Sequence, residues 1–136
     1  MSEIAHVILK MDTFQTALIT GGNGNLGRLV AQQLSAKGID VLCLDLPETE
    51  QKNETFYKNI FLGDVCDQDL VNRILKDQRP QAIFHLASLL SGSSETDLER
   101  AWQINATASI NLMQAAKDCE VGLFFYASTI ATYGSK

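Results

Sequence analysis

The run Phe14-Gln15-Thr16-Ala17-Leu18-Ile19-Thr20 breaks into Gly21-Gly22-Asn23-Gly24-Asn25-Leu26-Gly27, and this junction constrains the fold more than any other stretch of the sequence. The first segment is apolar and β-branched enough for a buried parallel strand. Beyond the glycines, Leu26, Leu29, Val30 and Leu34 recur at helical spacing up to Lys37-Gly38, a basic last turn followed by a glycine stop. Asp40–Leu44 then reads as a second strand, and it ends in Asp45. A strand, a glycine turn, a helix and a strand ending in a carboxylate form one right-handed unit of a parallel sheet.

The same alternation continues. Pro47–Glu54 is polar and predicts a loop or short helix, and Thr55–Leu62 has strand character up to Gly63-Asp64-Val65. Asp67 is placed to cap a helix carrying Leu70, Val71, Ile74 and Leu75, which Pro80 closes. Ala82–Leu86 predicts a fourth strand. Ser94 with Asp97 resembles a capping box for a long helix through Trp102, Ile104, Ile110, Leu112, Met113 and Ala116. Val121–Ala127 is a fifth strand. The expected architecture is α/β, a three-layer doubly wound parallel sheet (Rossmann) of strand order 3-2-1-4-5, truncated after the fifth strand. Its crevice lies between strands 1 and 4. Residues 1–13 do not fit this scheme and are expected to be an N-terminal extension, with Ile4–Leu9 a possible added strand; residues 14–136 form the one domain.

An apolar content of 46% over 136 residues is enough for one real core. A net charge of −5 argues against a nucleic-acid partner or an anionic membrane, both of which are gripped by basic patches. No apolar run approaches a membrane span, and the start lacks a signal-like pattern. Cys43, Cys66 and Cys119 are odd in number and form no CxxC pair, so free thiols in a reducing compartment, by default the cytoplasm, are expected and no metal site is.

Strand, turn, helix and acid together meet the context required of a dinucleotide fingerprint. Gly22 and Gly24 allow a tight turn and close backbone approach to a pyrophosphate, and Gly27 lets the helix pack on the strand. The helix start offers N–H groups and a dipole worth up to roughly 2 kcal/mol to an anion. Accidental glycines at a helix start are the bland alternative, and the surrounding pattern disfavours it. Asp45 can accept both ribose hydroxyls of an adenosine. Against a 2′-phosphate at about 4 Å and an effective dielectric near 20, its charge costs roughly 4 kcal/mol, which favours NAD over NADP. Asp64 can meet an adenine amino edge with Val65 against the ring, or it can simply cap a turn.

Thr20–Gly27, Asp45, Gly63-Asp64-Val65, His85-Leu86-Ala87-Ser88, Asn105 and Ser128-Thr129-Ile130-Ala131-Thr132-Tyr133-Gly134 occur in an order that resembles the NAD-dependent epimerase/dehydratase family, the extended short-chain dehydrogenases/reductases. Within it, His85–Gly92 and Trp102-Gln103-Ile104-Asn105 look most like the L-threonine 3-dehydrogenase branch. The resemblance implies NAD as cofactor, held by Gly21, Gly24, Asn25, Leu26, Gly27, Asp45, Asp64, Val65, Leu86, Ala87 and Ser88, with Leu86 also reaching the core. It implies that Asn105 holds backbone near the active site and that the Thr129 hydroxyl is catalytic, bonding the substrate oxygen during hydride transfer. His85 reads as structural, Ser128 as a loop tie, and Tyr133 as part of the motif's ending.

The family's proton chemistry uses Tyr-x-x-x-Lys, whose spacing puts both side chains on one helix face, where the ammonium depresses the phenol pKa. In this sequence Tyr57 is followed four places on by Phe61 and Tyr126 by Ile130, while Tyr133 has no such position. The expectation is an NAD-binding portion of an oxidoreductase, with a small-molecule substrate bound only in a longer parent. A non-catalytic NAD-binding sensor or interaction module is the alternative. Leu123-Phe124-Phe125-Tyr126, as an edge strand, is expected to drive self-association. The 136-residue chain should bind NAD and reduce none of it when offered secondary alcohols. Steady production of NADH, followed by its absorbance, would contradict this.

Overall fold

The computed structural model describes residues 14–49, 54–89 and 96–127. Within them the elements run β1 (Thr16–Thr20), α1 (Asn25–Ala36), β2 (Asp40–Asp45), β3 (Asn59–Leu62), α2 (Gln68–Gln78), β4 (Ala82–His85), α3 (Leu98–Trp102), a π-helical turn (Gln103–Thr107), α4 (Ala108–Asp118) and β5 (Leu123–Tyr126). All strand pairs are parallel, and the sheet order is β3-β2-β1-β4-β5. This is the doubly wound order expected from the sequence. Because β1 pairs with both β2 and β4, successive connections leave it in opposite directions and open a crevice above its carboxyl end.

Alternation along the central strands builds two cores. Ala17, Ile19, Val41, Cys43, Ala82 and Phe84 face one way and pack with Ala31 and Leu34 of α1. Leu18, Leu42, Leu44 and Ile83 face the other way, against Val71, Ile74 and Leu75 of α2 and Leu112, Ala115 and Ala116 of α4. Helices therefore cover both sheet faces, and side chains two apart along a strand share a core. Asp67 caps α2 as expected, its Oδ1 accepting from the Leu70 amide at 3.0 Å, and α2 ends with Arg79 in the left-handed region just before Pro80.

Several boundaries differ from the sequence reading. Strand 3 begins only at Asn59; residues 54–58 form a turn that brings Tyr57 inward, its ring packed edge-on against Phe56. Asp97 is the N-cap of α3, accepting from the Arg100 amide at 2.9 Å; its expected partner Ser94 lies outside the described residues. The long helix expected through Trp102 to Ala116 is divided into α3 and α4 by the π turn over Gln103–Thr107. Leu26, Leu29, Trp102, Ile110 and Met113, which carried the helical periodicity, are exposed, and the small residues Gly27, Ala31, Ala101, Ala108, Ala115 and Ala116 occupy much of the buried helix surface instead. Small side chains let the helices lie close to the sheet. Residues 1–13, including the expected extension, lie outside the described residues. No described helix is long and apolar enough to cross a membrane, and the three cysteines are free thiols.

Candidate functional site

Every strand runs the same way, so the carboxyl ends of β1, β2, β3 and β4 gather at one edge, and the turns leaving them form the candidate site. The first of these turns is packed backbone against backbone. Gly21 has φ +71, and a Cβ there would lie 2.8 Å from the Ala87 amide nitrogen and 2.9 Å from Ala87 Cα. Only glycine fits this contact. A Cβ at Gly27 would collide with the carbonyl of Gly21 and lie 2.8 Å from Gly22 Cα. The helix start thus rests directly on the turn. Gly24 is its N-cap and has no side chain to close the helix end, so the amides of the first turn face outward beside Asn25 and the 54% exposed Leu26. Such a terminus suits an anion.

Asp45, at the end of β2, faces that turn. Its Oδ2 accepts from the Asn23 amide at 2.8 Å, and its Oδ1 accepts from the Leu46 amide at 2.8 Å and the Thr49 hydroxyl at 3.0 Å. A carboxylate offers about four acceptor directions. Three are used among the described residues, so a ligand that presents two hydroxyls to Asp45 must displace one of these donors, and the Thr49 hydroxyl is the one that is not backbone. Beside α1, Arg28 pairs with Glu54 at a hollow also lined by Asn25, Leu29 and Phe56. The larger hollow, lined by Phe14, Arg79 and Gly122, is at the opposite end of the sheet.

Asp64 follows β3. Its Oδ1 accepts from the Cys66 amide at 2.8 Å, which is the turn-capping geometry, and its Oδ2 is paired with the Arg100 guanidinium of α3. Partial burial pushes the carboxyl up, but Arg100 and the Cys66 amide outweigh it and hold Asp64 below the ordinary carboxylate value. Val65 packs partly buried against the α2 and α4 core. Leu86 does the same against the α1 core, while Ala87 is half-buried and Ser88 exposed at the crevice mouth.

A buried polar chain runs beneath the crevice. The Ala87 amide donates to Thr20 Oγ1 at 3.3 Å, and Thr20 Oγ1 lies 2.6 Å from His85 Nδ1. His85 Nε2 lies 2.8 Å from Ser109 Oγ, which donates to the Asn105 carbonyl at 3.0 Å. Since the Ser109 proton is committed to Asn105, Nε2 carries the imidazole proton and Nδ1 accepts from Thr20. Asn105 in turn brackets Leu89, its Oδ1 accepting from the Leu89 amide at 2.8 Å and its Nδ2 donating to the Leu89 carbonyl at 3.1 Å. Tyr126 Oη also donates to the Asn105 carbonyl, at 3.2 Å. Among the described residues no buried side-chain polar atom lacks a partner. Ser109 and Arg100 carry no sequence signal that points to them, while Thr20 enters the sequence reading only as the start of the glycine motif and Tyr57 only as a tyrosine without a lysine four places on. Thr129, Ser128 and Tyr133 lie outside the described residues.

A match to the NAD dependent epimerase/dehydratase family spans residues 17–136. The chain belongs to this family. Among curated relatives of this epimerase/dehydratase chain, the UDP-glucose 4-epimerase of Lactobacillus helveticus is 35% identical over 120 residues, a match covering 86% of this chain and 36% of the relative. That of Rhizobium meliloti (strain 1021) is 32% identical over the same length, with the same coverage. The chain therefore spans about a third of the length of these relatives. Among solved structures, the UDP-glucose 4-epimerase of Thermus thermophilus in complex with NAD superposes with a TM-score of 0.77 at 28% identity, covering 84% of this chain and 37% of the other. The Bordetella bronchiseptica enzyme WbmH in complex with NAD+ gives 0.79 at 29%, covering 90% and 41%. The family match establishes membership, and these two relatives are named UDP-glucose 4-epimerases; neither points to the threonine dehydrogenase branch.

Burial lowers the His85 pKa from 6.5 to about 4, because the charged ring would lose its water. The folded value lies below the unfolded one, so the titration of His85 leaves stability almost unchanged above pH 6.5. As pH falls from 6.5 to about 4 the unfolded chain takes up a proton that the folded chain refuses, and stability drops by about 3 kcal/mol. Urea denaturation at about pH 7 and about pH 4.5 should show most of this loss, and His85→Asn should flatten the slope.

Proposed function

We propose that the chain is the NAD-binding portion of an oxidoreductase whose parent transfers hydride between a secondary alcohol and the nicotinamide. The observation that carries the reading is the uncapped start of α1, with a carboxylate on the neighbouring strand end bonded to the same turn. In this reading the amides beyond Gly24 hold the pyrophosphate. Asp45 holds the adenosine ribose, with the Thr49 hydroxyl giving way to the sugar, while Asp64 and Val65 meet the adenine. Leu86, Ala87 and Ser88 line the crevice beside the cofactor, and Asn105 fixes Leu89 there. Bound NAD supplies the hydride acceptor; the chain's own residues bind and orient it. Thr129 is the proposed hydroxyl at the substrate oxygen.

The parent's substrate is proposed to be a nucleotide-linked sugar, the class named for the UDP-glucose 4-epimerase relatives. The second reading, an amino acid as in the L-threonine 3-dehydrogenase branch, rests on the His85–Gly92 sequence. A sensor or interaction module without turnover would use the same cofactor contacts.

Calorimetric titration tests the cofactor reading. Wild type should bind NAD at least roughly tenfold more tightly than NADP, and Asp45→Asn, which removes the charge while keeping an acceptor, should lose most of that discrimination. Failure of folded wild type to bind either nucleotide, or an unchanged preference in Asp45→Asn, would contradict it.

A further inference from the structure

We infer that Tyr57 is a positioning residue for the diphosphate: together with Asp45 it clamps the peptide unit between Gly22 and Asn23, and so fixes how the glycine turn presents its amides. The inference rests on the cofactor reading above and adds a residue to it that no glycine pattern contains.

The geometry is a two-point hold. The Tyr57 hydroxyl donates to the Gly22 carbonyl, and the amide at the other end of the same peptide, that of Asn23, donates to Asp45 Oδ2 at 2.8 Å. A peptide in a glycine-rich turn is free to rotate about its flanking bonds. Rotating this one would break both hydrogen bonds and turn the carbonyl oxygen toward the Asp45 carboxylate. Neither side chain alone prevents such rotation as both do.

Tyr57 is itself held from several sides. It is 9% exposed, its ring meets Phe56 edge-on with centroids 4.8 Å apart, and the following Lys58 amide donates to the Val41 carbonyl at 2.8 Å. Beneath the peptide lies Cys43: a Cβ on Gly22 would overlap its sulfur and approach the Tyr57 hydroxyl to 3.0 Å. The peptide is thus seated on the thiol and gripped at both ends. Burial, reinforced by neighbouring Cys43, raises the Tyr57 pKa, and burial with Asp45 raises the Cys43 thiol to about 12. Both groups stay protonated across the range in which the protein folds, so the hydroxyl remains a donor. The burial also explains why Tyr57, at the end of a polar loop, points inward.

Pre-set amides bind a diphosphate without an ordering cost, whereas a loosened turn must be reordered by the ligand. A merely structural tyrosine would weaken all ligands alike. The discriminating measurement compares NAD, ADP and adenosine on wild type and Tyr57→Phe, which keeps the ring and removes only the hydroxyl. NAD and ADP should bind roughly 5- to 20-fold more weakly to the variant, and adenosine within about twofold of wild type. Equal affinities of wild type and variant for NAD and ADP, or an equal loss for adenosine, would overturn the inference while leaving the cofactor reading standing. No binding of NAD or ADP to folded wild type would overturn both. Should Tyr57→Phe fail to fold, NMR of the wild type decides: the hydroxyl proton of Tyr57 should exchange slowly and shift with ADP but not with adenosine, and the absence of that difference would count against the clamp.

Discussion

A helix can begin on top of a strand's own turn only if nothing but hydrogen separates them, and the contact of Gly27 with the Gly21 and Gly22 backbone is the constraint on which this structure depends. It sets where α1 lies on the sheet and leaves its first amides directed outward. It also brings the Gly22–Asn23 peptide within reach of two side chains from the next part of the chain. A second contact of the same kind, between Gly21 and the Ala87 backbone, joins the exits of β1 and β4. Together they define the crevice walls by main chain, which varies little with side-chain motion.

Polar groups beneath that crevice are ordered by a single direction of hydrogen donation. From the Ala87 amide through Thr20, His85 and Ser109 to the Asn105 carbonyl, each proton has one place to go. The chain links β1, β4 and the helical segment after α3, so a buried imidazole acts as a neutral connector. Such a network is costly if any member is unsatisfied. Its completeness among the described residues explains how three polar side chains, Thr20, His85 and Ser109, are tolerated where aliphatic ones would otherwise pack.

Much of the architecture was legible because its causes are local. The β-branched run before Gly21, the cap at Asp67 and the stop at Pro80 act over a few residues, and the elements appear where those signals place them within a residue or two. The strand order follows from alternation and handedness. The misplacements have longer-range causes. Thr55–Tyr57 has strand composition, yet the aromatic is drawn inward to a carbonyl 35 positions earlier in the chain. Arg100 meets Asp64 across 36 positions, and no spacing rule points to it. Large apolar residues misled the helix reading, since Leu29, Trp102 and Ile110 stay outside while alanines make the contacts. At the site, the glycines and Asp45 announced themselves through pattern; the side chains that hold them did not.

The three inner strands β1, β2 and β4 are almost entirely shielded from water, whereas β3 and β5 at the two margins are mostly half or fully open to it. Pairing at the margins is therefore sustained by backbone bonds with little apolar cover. Fluctuations that admit solvent begin at both borders and fade toward the middle, reaching the Asn59–Leu62 and Leu123–Tyr126 amides long before those of Leu18 or Ile83. The crevice above the carboxyl end of β1 sits over the most slowly breathing part of the sheet.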